Sequence, residues 1–165
     1  SVAHTAASSL FLCIITPQRA ITQALRYHCK GVFIMELHIG ITGVDEVEVT
    51  QANTAETVGS GTLPVFATPA MLASMEKAAY ASVQPYLDEG CGTVGILLNA
   101  EHLAASPIGM HVRTESELTE IDGRVLTFSV RSYAGGELIG KGIHKRCIIN
   151  SERFLAKALS KLDNK

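Results

Sequence analysis

Thr68-Pro69-Ala70-Met71-Leu72-Ala73-Ser74-Met75-Glu76-Lys77-Ala78-Ala79-Tyr80-Ala81-Ser82-Val83 is the stretch whose period separates one fold class from another. Threonine is a good N-cap and proline is favoured at the first helical position, so Thr68-Pro69 predicts a helix start. Pro85 disfavours helical backbone at Gln84, which predicts a stop near Val83. Leu72, Met75, Ala79 and Val83 recur at helical spacing and form an apolar stripe. A helix of this length with one apolar face must bury that face on something else in the chain.

The rest of the sequence supplies strands. Residues 36–50 alternate loosely, with Leu37, Ile39, Ile41, Val44, Val47 and Val49 apolar, and predict one or two strands. Residues 50–61 are polar and glycine-containing, a loop composition. Four strand-like segments come after the helix, at 93–104, 108–119, 124–133 and 138–149. Ser106-Pro107, Asp122-Gly123 and Gly135-Gly136 separate them, and the last two are hairpin signals. Ser151 predicts the cap of a final helix with Phe154, Leu155, Ala158, Leu159 and Leu162 on its apolar side. This order implies an α+β fold: an antiparallel sheet wrapped around one long helix, with a short C-terminal helix, the hotdog arrangement.

Composition narrows the function classes. The chain has 165 residues, 47% hydrophobic and 18% charged, with a formal net charge of −2. That excludes a disordered chain and offers no basic footprint for nucleic acid. The low charged share also fits a surface partly buried against a second copy. The longest unbroken apolar run, Leu10 to Ile15, is far short of the roughly 20 residues that cross a bilayer, so no membrane span is expected. Cys13, Cys29, Cys91 and Cys147 form no CxxC and read as thiols in a reducing, cytoplasmic setting. No metal-ligand spacing occurs; His144 and Cys147 make only an isolated HxxC.

Residues 1–34 differ in composition from the rest of the chain. No Asp or Glu precedes Glu36, and Arg19, Arg26 and Lys30 are the only basic residues there, which leaves 11 basic against 16 acidic residues in the remainder. The first methionine is Met35. The break predicts an N-terminal extension at 1–34, outside the core, and one domain at 35–165. An acid-poor, arginine-bearing leader also resembles a transit segment, which would give an organellar location instead.

Three residues of the domain are out of place for a purely structural role. Glu76 falls within the apolar stripe, and a buried carboxylate is costly without a partner. His102 shares strand parity with Val94, Ile96, Leu98 and Ala100, so it joins an apolar face, with a pKa suited to proton transfer. Thr68 explains itself as an N-cap, yet its hydroxyl also stands where helix N–H groups favour an oxyanion. Lys145-Arg146 reads either as an exposed strand end or as a phosphate contact.

Several blocks then resemble one family in order. The run from Val65 to Glu76 is similar to the helix segment of the fluoroacetyl-CoA thioesterase-like hotdog proteins. Thr93-Val94-Gly95, Asn99 and His102-Leu103-Ala104-Ala105-Ser106-Pro107-Ile108-Gly109 resemble the next block. Asp122-Gly123-Arg124 and Ile139-Gly140-Lys141-Gly142-Ile143-His144-Lys145-Arg146 resemble the later strands. The likeness spans roughly residues 40–160.

The resemblance implies a catalytic set at Thr68, Glu76 and His102, with Gly95 and Arg146 as substrate-binding candidates; Phe66 joins them as a residue whose packing sets pocket depth. It implies hydrolysis of a short-chain acyl-CoA to the free acid and CoA, with CoA as part of the substrate and no separate cofactor or metal. It also implies a homodimer with the site at the interface, and allows assembly beyond a dimer. The fluoroacetyl-specific member carries lid phenylalanines before its threonine; residues 59–64 have none, which argues against fluoroacetate specificity. Competing expectations are an enoyl-CoA hydratase on the same fold and a non-catalytic acyl-CoA sensor. Eight residues of helix rise about 12 Å, so Thr68 and Glu76 cannot meet along one straight helix. Either Thr68 lies in a loop that folds back or the site is completed across two protomers, and the second is the favoured expectation.

Overall fold

Two glycine turns set the register of the sheet. In the computed structural model, which describes residues 36–162, Gly123 (φ 54°) opens the turn between β3 (His111–Asp122) and β4 (Val125–Ala134). Gly135 and Gly136 (φ 57° and 86°) join β4 to β5 (Glu137–Asn150). Positive φ at both central residues matches the right-handed twist of the flanking strands. With β1 (Thr42–Glu48) and β2 (Cys91–His102), these strands form one antiparallel sheet in the order β1-β3-β4-β5-β2. β1 and β2 are its edges. The extension expected at residues 1–34, with Cys13 and Cys29, lies outside the described residues.

The long helix, α2 (Thr68–Val83), packs against all five strands. Met71, Met75, Ala78, Ala79 and Val83 are buried there, against Val112, Leu118, Leu126, Phe128, Val130 and Ile139. Each large side chain enclosed this way contributes about 1.5–3 kcal/mol relative to exposure. The buried face is rotated from the expected stripe. Leu72 is only partly buried, Ser74 is buried, and Glu76 falls outside the face with its side chain 48% exposed.

Ser74 explains the rotation. Its Oγ lies 2.8 Å from Asp45 Oδ2 and 3.0 Å from Thr114 Oγ1, and Thr114 Oγ1 is 2.8 Å from Ser132 Oγ. The Ser74 hydroxyl has one hydrogen, which it donates to the Asp45 carboxylate; the Thr114 hydroxyl then donates to Ser74. Lys77 closes the network, its Nζ 2.7 Å from Asp45 Oδ1. Lys77 therefore serves Asp45, not its neighbour Glu76.

Local details depart from the sequence expectation at four places. The 50–61 loop contains a 3₁₀ turn (Gln51–Asn53) and a short helix, α1 (Ala55–Val58), capped by Thr54 Oγ1 on the Thr57 N–H. β3 begins at His111, because Met110 N–H closes a turn on the Pro107 carbonyl and Gly109 sits at φ 92°. The last helix, α3 (Ser151–Leu159), is capped by Asn150, whose Oδ1 accepts from Arg153 N–H at 3.0 Å; its apolar residues Phe154, Leu155 and Leu159 stay exposed. Finally, β2 carries a bulge between Gly95 and Leu97. Its extra residue, Ile96, reverses strand parity: His102, Ala100 and Leu98 face the helix side, and beyond the bulge Gly95 and Thr93 do.

α2 comes down on β1 at Gly43. A Cβ there would fall on the Ala78 carbonyl oxygen and lie 2.6 Å from Ser82 Cβ. Gly43→Ala should therefore lower stability by about 1–3 kcal/mol, the usual cost of overpacking, read as a fall in the urea midpoint. An unchanged midpoint would contradict this helix–sheet contact.

Candidate active site

The start of α2 and the end of β2 meet. Ala67, not Thr68, occupies the cap position (φ −75°, ψ 139°), and no side chain caps this helix. Thr68 is its first residue, so its hydroxyl is released from backbone duty. It forms a 2.8 Å hydrogen bond with His102 Nδ1. Pro69 has no N–H, and the first-turn N–H groups of Thr68 and Ala70 have no intrahelical acceptor. They stand at the positive end of the helix dipole, at the same helix start as Thr68.

His102 is half-buried, and its Nε2 is enclosed with no hydrogen-bond partner among the described residues. Burial pushes its pKa below the ordinary 6.5, and the Ala104 backbone partly opposes this. A neutral imidazole near neutral pH is what a proton acceptor requires. An enclosed ring nitrogen without a partner calls for one in the working state. Phe66 lies two residues before Thr68 but is buried in the core, its N–H on the Ser106 carbonyl at 2.8 Å. It supports the segment from below and does not line an open surface in the single chain.

Glu76 forms a second cluster, two turns further along α2. Its Oε1 is 3.8 Å from His144 Nε2 and 3.9 Å from Arg146 Nη1. It also stands over Gly95, where a Cβ would come within 2.5 Å of it. A Cβ there would push the carboxylate from this position, and the bulge at Ile96 is what turns Gly95 towards it. Arg146 is buried rather than a strand-end cation. Its Nε donates to Thr93 Oγ1 at 2.8 Å and its Nη2 to the Thr93 carbonyl at 2.9 Å. The guanidinium also lies 5.8 Å from the centre of the Tyr80 ring.

His144 completes this cluster, although the sequence pattern offers it no role beyond an isolated HxxC. It is fully buried, with Nδ1 2.8 Å from the Leu97 carbonyl and Nε2 3.0 Å from Arg146 Nη1. A carbonyl can only accept and a guanidinium can only donate, so Nδ1 carries the proton and Nε2 is bare. Burial is the main cause holding its pKa below 6.5; the Leu97 carbonyl opposes it, Arg146 reinforces it and Glu76 opposes it. The signal available in the sequence is the two-residue spacing of His144 and Arg146 on one strand face.

Thr68 and His102 are thus together, as are Glu76, Gly95 and Arg146, while the two groups remain separate within one chain. Among the described residues no cluster of His, Cys, Asp or Glu could hold a metal ion, and no helix is long and apolar enough to cross a membrane.

Comparison with known proteins identifies the family and the fold. Residues 49–152 match the family model described as FlK, fluoroacetyl-CoA-specific thioesterase. The fluoroacetyl-CoA thioesterase of Streptantibioticus cattleyicolor is 39% identical over 97 residues, covering 59% of this chain and 70% of that protein. A crystal structure of the thioesterase FlK superposes with a TM-score of 0.72 at 31% identity, covering 76% of this chain and 97% of that one. A Thermus thermophilus thioesterase superfamily member superposes with a TM-score of 0.70 at 29% identity, covering 77% and 96%. By sequence and by fold, the chain belongs to the fluoroacetyl-CoA-specific thioesterase family and is a thioester hydrolase built on the hotdog fold.

Proposed function

We propose that this protein hydrolyses short-chain acyl-CoA thioesters at a site made by Thr68 and His102 of one subunit and Glu76 of the partner subunit. The observation that carries this reading is the 2.8 Å bond between Thr68 and His102, with Nε2 of the same ring enclosed and unpartnered. Arg146 and Gly95 frame the position from which the carboxylate acts, and CoA enters as part of the substrate with no separate cofactor.

A thioester carbonyl is already activated, and its thiolate is a good leaving group because thiol pKa values are near 8.5. The α2 N-terminus offers N–H groups and a positive dipole for the developing oxyanion. The partner subunit's Glu76 brings its negative charge beside the His102 ring and stabilises the imidazolium. His102 Nδ1 then takes a proton from the attacking oxygen held at Thr68. Collapse of the tetrahedral adduct breaks the C–S bond, and the imidazolium returns the proton to the CoA thiolate. Water adds overall, giving carboxylic acid and free thiol.

Two observations support a homodimer. β2 is an edge strand of 12 residues whose backbone is open on one side, with exposed Ile96 and Leu97 on it. Gly95 lies on that same strand, so Glu76 above it is near the edge where a second copy would pair. The exposed segment 59–64 has Leu63 as its only large apolar side chain, which favours a general short acyl group over fluoroacetyl. A cytoplasmic location fits a cysteine pattern with no CxxC pair.

Free-thiol release from acetyl-CoA and longer acyl-CoAs tests the reaction. His102→Ala and Glu76→Gln should each lower kcat by about 10²–10⁴-fold, the range for a lost acid–base group. Mixed and re-equilibrated, the two inactive variants should regain about a quarter of wild-type activity. Half the dimers are then mixed, and each mixed dimer has one intact site. No recovery despite demonstrated subunit exchange would place Glu76 and His102 in the same chain's site.

The pH profile gives a second test. Burial lowers the His102 pKa, whereas an adjacent carboxylate raises it by favouring the imidazolium. Activity is lost on the acid side as the base protonates. The acid limb of kcat/KM should therefore move to lower pH in Glu76→Gln, and an unmoved limb would separate Glu76 from His102.

A further inference from the structure

A fully buried histidine outside the Thr68–His102 pair has no part in the chemistry above, yet each of its ring nitrogens has a partner. We propose that His144 is a positioning residue: through its bare Nε2 it orients the Arg146 guanidinium so that one N–H faces Glu76 over Gly95. The inference rests on the thioesterase reading and deepens it, because it explains how the carboxylate is held.

Geometry carries it. The bulge at Ile96 sits beside the Leu97 carbonyl, which takes the His144 Nδ1–H at 2.8 Å. That bond selects the tautomer, leaving Nε2 as an acceptor in a place where water does not reach. Arg146 has five N–H groups in a rigid plane. Three are taken by Thr93 Oγ1, the Thr93 carbonyl and His144 Nε2. Two acceptors on Thr93 alone would let the plane tilt. The third, on Nη1, fixes which way the second Nη1 hydrogen points, and Glu76 Oε1 is 3.9 Å from that nitrogen. Tyr80 covers the guanidinium from one face. The opposite tautomer, or an imidazolium, would set N–H against N–H at Arg146 and release the plane.

Two isosteres separate the two nitrogens. Asparagine reproduces the Nδ1 donor and lacks the Nε2 acceptor; glutamine reaches the Nε2 position with its amide oxygen. In the full-length enzyme, His144→Asn should lower kcat for acetyl-CoA at least about tenfold, less than the ~10²–10³ for a donor removed outright because the contact acts through Arg146, with KM nearly unchanged. His144→Gln should recover most of that loss. Equal losses in both variants, or a loss confined to KM, would overturn the proposal. Because either variant can fail to fold, the wild-type tautomer provides an independent reading. Long-range ¹H–¹⁵N correlation spectra at neutral pH should show His144 protonated on Nδ1 and bare on Nε2. A proton on Nε2 would overturn the proposal whatever the variants do. Wild-type protein that releases no thiol from any acyl-CoA defeats the thioesterase reading itself. Active wild type with an equally active, folded His144→Asn defeats only the role of His144.

Discussion

The hydrogen bond between Thr68 and His102 is the constraint on which the site depends. It joins the first residue of the long helix to the last residue of an edge strand, 34 positions apart in sequence. Neither residue can satisfy it unless the helix lies across the sheet at the depth and rotation seen. Ala67 at the cap and Pro69 just inside the helix start α2 without spending the threonine hydroxyl. The Ser74–Asp45–Thr114 network fixes rotation about the helix axis, and so fixes where Thr68 and Glu76 face.

Glycine sets the depth. Gly43 lets α2 descend onto β1, Gly140 lets Met71 settle beside the strand that pairs with His102, and Gly95 leaves the space that the Glu76 carboxylate fills. At Gly43 a Cβ would meet helix backbone; at Gly140 and Gly95 it would push the Met71 and Glu76 side chains from their places. The same helix therefore carries two chemically distinct ends: a threonine with free N–H groups and a carboxylate beside a buried cation. On the dimeric reading proposed above, their separation by two turns leaves the single chain with half of each site, and a second copy supplies the other half.

Much of this is legible in the residues. The helix 68–83 and both glycine hairpins follow from cap, proline and turn chemistry, and four strands after the helix dictate the sheet-on-helix fold. Side-chain directions are harder to read. Strict alternation puts Val94 and Ile96 with His102, but the bulge reverses parity, and bulges leave no mark in hydrophobic pattern. The stripe predicts Glu76 buried among apolar neighbours, whereas Ser74 takes the buried place through its bond to Asp45. His144 escapes notice because a histidine satisfied by a distant carbonyl and an arginine looks, in sequence, like any strand residue.

Replacing the threonine hydroxyl tests the central claim most directly. Valine keeps the shape of Thr68 and removes only the bond to His102; serine keeps the bond and removes a methyl group. Steady-state thiol release from acetyl-CoA should survive largely intact in Thr68→Ser and fall about a hundredfold or more in a folded Thr68→Val, as for a lost catalytic donor. Thr68→Val hydrolysing at the wild-type rate would contradict the account.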